Sequence, residues 1–268
     1  MNRKMALAGA CLTFMIAQTA LPALVRADET YTLKRVFKAG EADRYRNVFT
    51  IESGNTKLQI TFTSLEKTEE IKDDGTMVRS ITIETAEFEA GGRSMPMPRF
   101  KPVKMTATID KDGNVIKHEG EGGFYAMLLS LSRPLVEAEQ PLKVGQAWKT
   151  EIPTDSDGKK KLDVTVTLVS LEPKSDEVPF ETYKVKTTAE GVMESEQGDQ
   201  QVKSEAVSLV TRDTCTLVKT EGTETGMPLP QFGAAKVTFK VVRVPDKPET
   251  QPAKPQAQPD KTQTQSGK

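Results

Sequence analysis

Leu58-Gln59-Ile60-Thr61-Phe62-Thr63 alternates apolar and polar residues without a break, and about a hundred residues later Leu162-Asp163-Val164-Thr165-Val166-Thr167 does the same. A period of two belongs to a strand with one face buried and one in water; a helix cannot sort these side chains onto one side. Both stretches run into Ser-Leu-Glu, at Ser64-Leu65-Glu66 and Ser170-Leu171-Glu172. Other matches keep the same order. Lys143-Val144-Gly145 echoes Lys38-Ala39-Gly40, and Leu217-Val218-Lys219-Thr220-Glu221-Gly222 matches Val115-Ile116-Lys117-His118-Glu119-Gly120 in kind. These matches hold an offset of 102 to 106 residues, which argues that one meander has been copied. One recurrence does not fit. Met227-Pro228-Leu229-Pro230-Gln231-Phe232 repeats the Met-Pro-x-Pro-x-Phe of Met95 to Phe100 at an offset of 132. Either the second copy carries an extra hairpin or one register is wrong.

The remaining punctuation fits a meander. Strands are predicted at Tyr31–Phe37, Tyr45–Ile51, Leu58 to about Ile71, Met77–Glu89, Val103–Ile109 and Val115–Glu119. The second set is Trp148–Ile152, Lys160–Leu171, Phe180–Met193, Val202–Thr211, Thr216–Thr220 and Lys236–Val244. Asp73-Asp74-Gly75 is a strong hairpin signal. The alternation slips one place between Ile83 and Ala86, which predicts a bulge. Phe124 to Arg133 is the one helix expected; it is apolar almost all round and stopped by Pro134, so it must be covered on most sides. The expected fold is all-β: two duplicated antiparallel meander lobes, residues 28–123 and 141–244. They form a curved sheet, half-barrels or a barrel, with the central helix and connector at 124–140 against the concave side.

The ends read differently. Arg3 and Lys4, the apolar run from Met5 to Val25 and the small residues around Arg26 have the form of a secretory signal peptide over residues 1–27. A retained membrane anchor is the alternative, since about 20 apolar residues can span a bilayer, and Leu7-Ala8-Gly9-Ala10-Cys11 approximates a lipidation motif. Cleavage removes Arg3, Lys4 and Arg26 and no acid, leaving 34 basic and 38 acidic residues and a net charge of −4. That mild balance offers no electrostatic footprint for nucleic acid. Cleavage also leaves Cys215 alone, as a reactive thiol, a dimer link or, in the reading preferred here, a small buried hydrophobe. Residues 245–268 are Pro-, Gln- and Lys-rich and too polar to offset the entropy of ordering, so a disordered tail is expected.

Candidate chemistry is sparse. With His118 as the single histidine, no Cys pair and no ligands spaced along a helix, neither a metal site nor a Ser-His-Asp or Cys-His catalyst is expected. Asp110-x-Asp112-x-Asn114 with Glu121 approximates a calcium loop, but Val115 stands where such a loop needs Gly. Gly120-Glu121-Gly122-Gly123 lacks the βαβ context of a phosphate loop. Carboxylate pairs for glycoside hydrolysis are open by composition alone. What stands out is apolar: Phe124, Met127, Leu128 and Leu131 on the helix, with Met95, Met97 and Met227 on the Met-Pro stretches. Methionine adapts to varied apolar partners.

The signal segment, the Lys-x-Gly entry to each half, the Asp-Gly hairpin and the apolar segment before Pro134 together resemble exported bacterial β proteins of unknown function. More broadly, the chain is similar to lipoprotein-carrier and lipid-carrier folds. That resemblance implies an antiparallel half-barrel whose greasy concave face is covered by helices, and it assigns no functional residue. The expectation is a non-enzymatic, periplasmic or extracellular monomer without cofactor and with no membrane span after cleavage. It would hold an apolar ligand beneath the helix. The alternative is a structural module whose partner is an envelope protein.

Overall fold

The computed structural model describes residues 29–91, 93–96, 100–110, 115–133, 137–154, 159–193, 198–229 and 232–245. The predicted signal segment, residues 246–268 of the predicted tail, Met97 and most of the calcium-like turn lie outside the described residues. Among the described residues, twelve strands and one helix follow in chain order. The first half is β1 (Ala42–Ser53), β2 (Thr56–Ile71), β3 (Met77–Ala90), β4 (Arg93–Pro96), β5 (Val103–Ile109) and β6 (Val115–Gly120). After α1 (Gly123–Leu131) come β7 (Ala147–Pro153), β8 (Lys161–Glu172), β9 (Thr182–Met193), β10 (Gln200–Thr211), β11 (Leu217–Leu229) and β12 (Gly233–Val244).

All pairings are antiparallel, and they join the two expected lobes into one sheet: β6-β5-β3-β2-β1-β12-β11-β10-β9-β8-β7, with β4 beside β3. The edges β6 and β7 do not meet, so the sheet is not closed into a barrel. The weld is β12, which pairs with β11 on one side and with β1 over Arg44–Glu52 on the other. Met227-Pro228-Leu229 and Lys236-Val237-Thr238 fall on β11 and β12, whereas Met95 and Lys104 fall on β4 and β5, so that recurrence marks no equivalent place.

The two Lys-x-Gly entries form matching turns. In the first half the Gly40 N–H donates to Thr68 O (2.7 Å), Glu41 N–H to Lys38 O (3.0 Å) and Thr68 N–H to Glu41 O (2.9 Å). In the second, Gly145 donates to Leu168 (2.7 Å), Gln146 to Lys143 (2.9 Å) and Leu168 to Gln146 (3.2 Å). Gly40 and Gly145 share the left-handed φ that this turn requires, 80° and 84°. The β5–β6 and β10–β11 hairpins also bulge at matching places, after Thr108 and after Leu209. The two matching strands, however, are four residues out of step with their sequence match: Thr68 stands where Leu168 does, an offset of 100, while Leu58 matches Leu162 at 104. A slip of four keeps every side chain on its face, so alternation alone cannot detect it.

The predicted bulge lies where Thr63 faces Thr85 and Ser64 faces Ile83, leaving Glu84 as the extra residue. Glu84 ion-pairs with Arg44, Nε to Oε2 at 2.8 Å. One expectation is corrected. Tyr31–Phe37 alternates as predicted but finds no neighbouring strand among the described residues; it forms a single bridge, Tyr31 with Leu142, and presses Tyr31 and Leu33 into the core.

The buried residues form two clusters on the inner face. The larger holds Phe49, Phe62, Phe239, Ile51, Ile60 and Val237 with Tyr125, Leu128 and Leu129 of the helix. Phe49 stacks on Phe62 at 5.7 Å with ring planes 5° apart. The smaller gathers Tyr31, Leu33, Leu142, Val164, Val166, Leu168, Val185 and Cys215. The division does not follow the sequence halves, since Val202, Ala206 and Met227 belong to the larger cluster. Each fully covered Phe, Leu or Ile contributes about 1.5–3 kcal/mol by leaving water.

Candidate functional site

The chain leaves the sheet edge at β6 and must reach the opposite edge at β7, and α1 is laid on the inner face on the way. Glycines allow this. A Cβ on Gly120 would sit 2.4 Å from the Lys104 carbonyl oxygen, and one on Gly122 would sit 2.8 Å from Val103 Cγ1. Both have φ above 100°, a conformation L side chains rarely adopt. The Gly-rich stretch is therefore a close backbone crossing, not a phosphate cradle. The helix has no side-chain N-cap, and its end is tied by Ser132, whose N–H donates to Leu128 O (3.1 Å). Tyr125 packs edge-on against Phe62, Phe100 and Phe124.

A pocket of about 220 Å³ opens between the helix and the sheet, on the β6 side of Leu129. Its floor is Glu66, Arg79, Ile81, Met105 and His118 from four neighbouring strands; Ala126, Leu129, Ser130 and Arg133 of the helix segment close the other side. Arg133 and Arg79 share the carboxylate of Glu66: Arg133 Nη2 donates to Oε1, and Arg79 Nη2 to Oε2 at 3.3 Å. The Arg133 guanidinium lies over the Tyr45 ring, 4.5 Å from its centroid. Burial holds the Tyr45 hydroxyl well above its ordinary range. A second clamp stands beside it, with Asp43 between Arg35 (3.4 Å) and Arg243 (2.6 Å). Burial raises the Asp43 carboxyl and the arginines oppose this. Asp43 and Glu66 are thus each held by two arginines. Among the described residues no three His, Cys, Asp or Glu side chains cluster to hold a metal, and no helix is long and apolar enough to cross a membrane.

The residues singled out in sequence are split. Leu128 is fully buried and Met227 nearly so, both within the larger core cluster, so the space directly beneath them is filled. Phe124, Met127 and Leu131 are half-buried and pack along the rim of that cluster, beside Phe88, Phe100, Met193 and Phe232. Met95 lies on β4 opposite Phe88, and Met97 lies outside the described residues. The accessible space is on the helix flank instead, and its lining includes none of the seven. Arg79 and Arg133 carried no signal in sequence: one occupies a polar-looking strand position and the other ends a helix, and only the crossing brings them together.

A further acid stands apart. Glu224 is 7% exposed on the inner face of β11. Ser204 Oγ donates to its Oε1 at 3.1 Å, and Oε2 is buried without a hydrogen-bond partner. Burial raises its pKa to about 7, against the hydrogen bond from Ser204.

No protein-family model matches this chain, and no curated protein matches it. The fold and pocket define only a class: an open antiparallel sheet with one apolar helix over its core-bearing face and a small, arginine-lined pocket on the helix flank.

Proposed function

We propose that this chain is a non-catalytic exported protein that binds a hydrophobic ligand where α1 meets the inner face of the sheet. The observation that carries the reading is the rim of half-buried apolar side chains beside the helix, Phe88, Phe100, Phe124, Met127 and Leu131, which continues a closed core toward open solvent. Apolar surface left half covered beside the helix favours an apolar guest by the same burial that holds the core. The unclosed sheet leaves an approach along β6. Native mass spectrometry of gently purified protein is expected to show a co-purifying apolar adduct. Nile red fluorescence is expected to rise with wild-type protein and to fall several-fold with Met127→Glu, whose thermal melt establishes that it folds. A clean apo mass together with no dye binding overturns the reading.

A further inference from the structure

We propose that the pocket beneath the end of α1 receives the anionic head of an amphipathic ligand, a carboxylate or phosphate, whose first carbons lie against the pocket's own apolar wall. The inference rests on the hydrophobic-ligand reading and names the chemistry of one end of the guest. Three observations carry it.

The first is charge. Two guanidinium groups, Arg79 and Arg133, share one carboxylate, Glu66, which among the described residues is the only acid lining the pocket. The site therefore carries a surplus positive charge in a place where protein has replaced much of the water. Arginine is also the side chain whose planar fork matches carboxylate and phosphate oxygens.

The second is an unused donor. Arg79 Nε is buried and makes no hydrogen bond, while its Nη2 is held by Glu66. A buried donor without an acceptor costs free energy that a bound anion would recover. Arg79 is also held over the Phe37 ring, 4.9 Å from its centroid, so the fork is oriented before any ligand arrives.

The third is size and lining. About 220 Å³ is the room of about seven waters. A head group with its first few carbons fits; a whole acyl chain does not. Ile81, Met105, Ala126 and Leu129 supply an apolar wall against which those first carbons can lie.

The test is calorimetric titration of the full chain with decanoate, 1-decanol and inorganic phosphate, below the concentration at which the amphiphiles aggregate. Decanoate is expected to bind at least tenfold more tightly than 1-decanol, with phosphate far weaker than either. Arg79→Met is expected to bring decanoate down to the level of 1-decanol without changing 1-decanol itself, and Arg79→Lys to retain part of the preference. Thermal melts of both variants establish that they fold. Equal affinity of the wild-type protein for decanoate and 1-decanol overturns the anionic head and leaves the hydrophobic-ligand reading standing. Failure of both to bind overturns that reading and this inference with it. Phosphate binding as tightly as decanoate overturns the amphipathic ligand in favour of a free-anion site.

Discussion

Replacing Glu224 by Gln should stabilise this protein at pH 8 and lose that advantage in acid. Glu224 faces Ser204 on β10 and Val237 on β12 across its neighbouring strands. Its pKa moves from the ordinary 4.5 to about 7 because burial disfavours the carboxylate, and no charge among the described residues offsets this. The folded state thus holds the proton more tightly than the unfolded chain. Below pH 4.5 both states are protonated and the group costs nothing. Between 4.5 and 7 the folded state binds more protons, so stability falls as pH rises; above 7 both states are ionised and the full cost remains. At 1.4 kcal/mol per factor of ten the cost is about 3 kcal/mol. The glutamine side chain keeps an acceptor for Ser204 but places an amide N–H2 where Oε2 has no partner, at about 1 kcal/mol. Glu224→Gln is therefore expected to gain about 2 kcal/mol at pH 8 and to lose about 1 kcal/mol at pH 4.5. Urea unfolding of both proteins across that range measures the difference. A mutant-minus-wild-type difference that does not change with pH would refute a carboxyl with this environment.

Two further outcomes follow from the fold. Gly40→Ala and Gly145→Ala should each cost about 1 kcal/mol and agree closely, because both have the same positive φ and open space around the new methyl; chemical denaturation giving one large and one negligible loss would break the equivalence of the two turns. Burial raises the Cys215 thiol above its ordinary value, so in a Cys11→Ser background a thiol reagent at pH 8 should label it only as fast as the protein unfolds. Stoichiometric labelling of the native protein within seconds would contradict its burial.

Local pattern determined a good deal about this chain. Period-two alternation at Leu58–Thr63 and Leu162–Thr167 established the strands and their buried faces, the slip after Ile83 located the bulge at Glu84, and the apolar run at Phe124–Leu131 located the helix, although only its Tyr125, Leu128 and Leu129 face is buried rather than most of its sides. Each is a signal within a few residues, set by backbone geometry. Tertiary structure decided the rest. Alternation is blind to even shifts, so the four-residue slip between the two matching strands emerged only from the hydrogen bonds of the Gly40 and Gly145 turns. Whether an extended segment becomes a strand depends on a neighbour, which Tyr31–Phe37 lacks among the described residues and β12 has on both sides. The pocket was hidden for the same reason: Glu66, Arg79, His118 and Arg133 look like solvated polar residues along the chain, and they converge only because the Gly120–Gly122 crossing lays the helix back over the sheet.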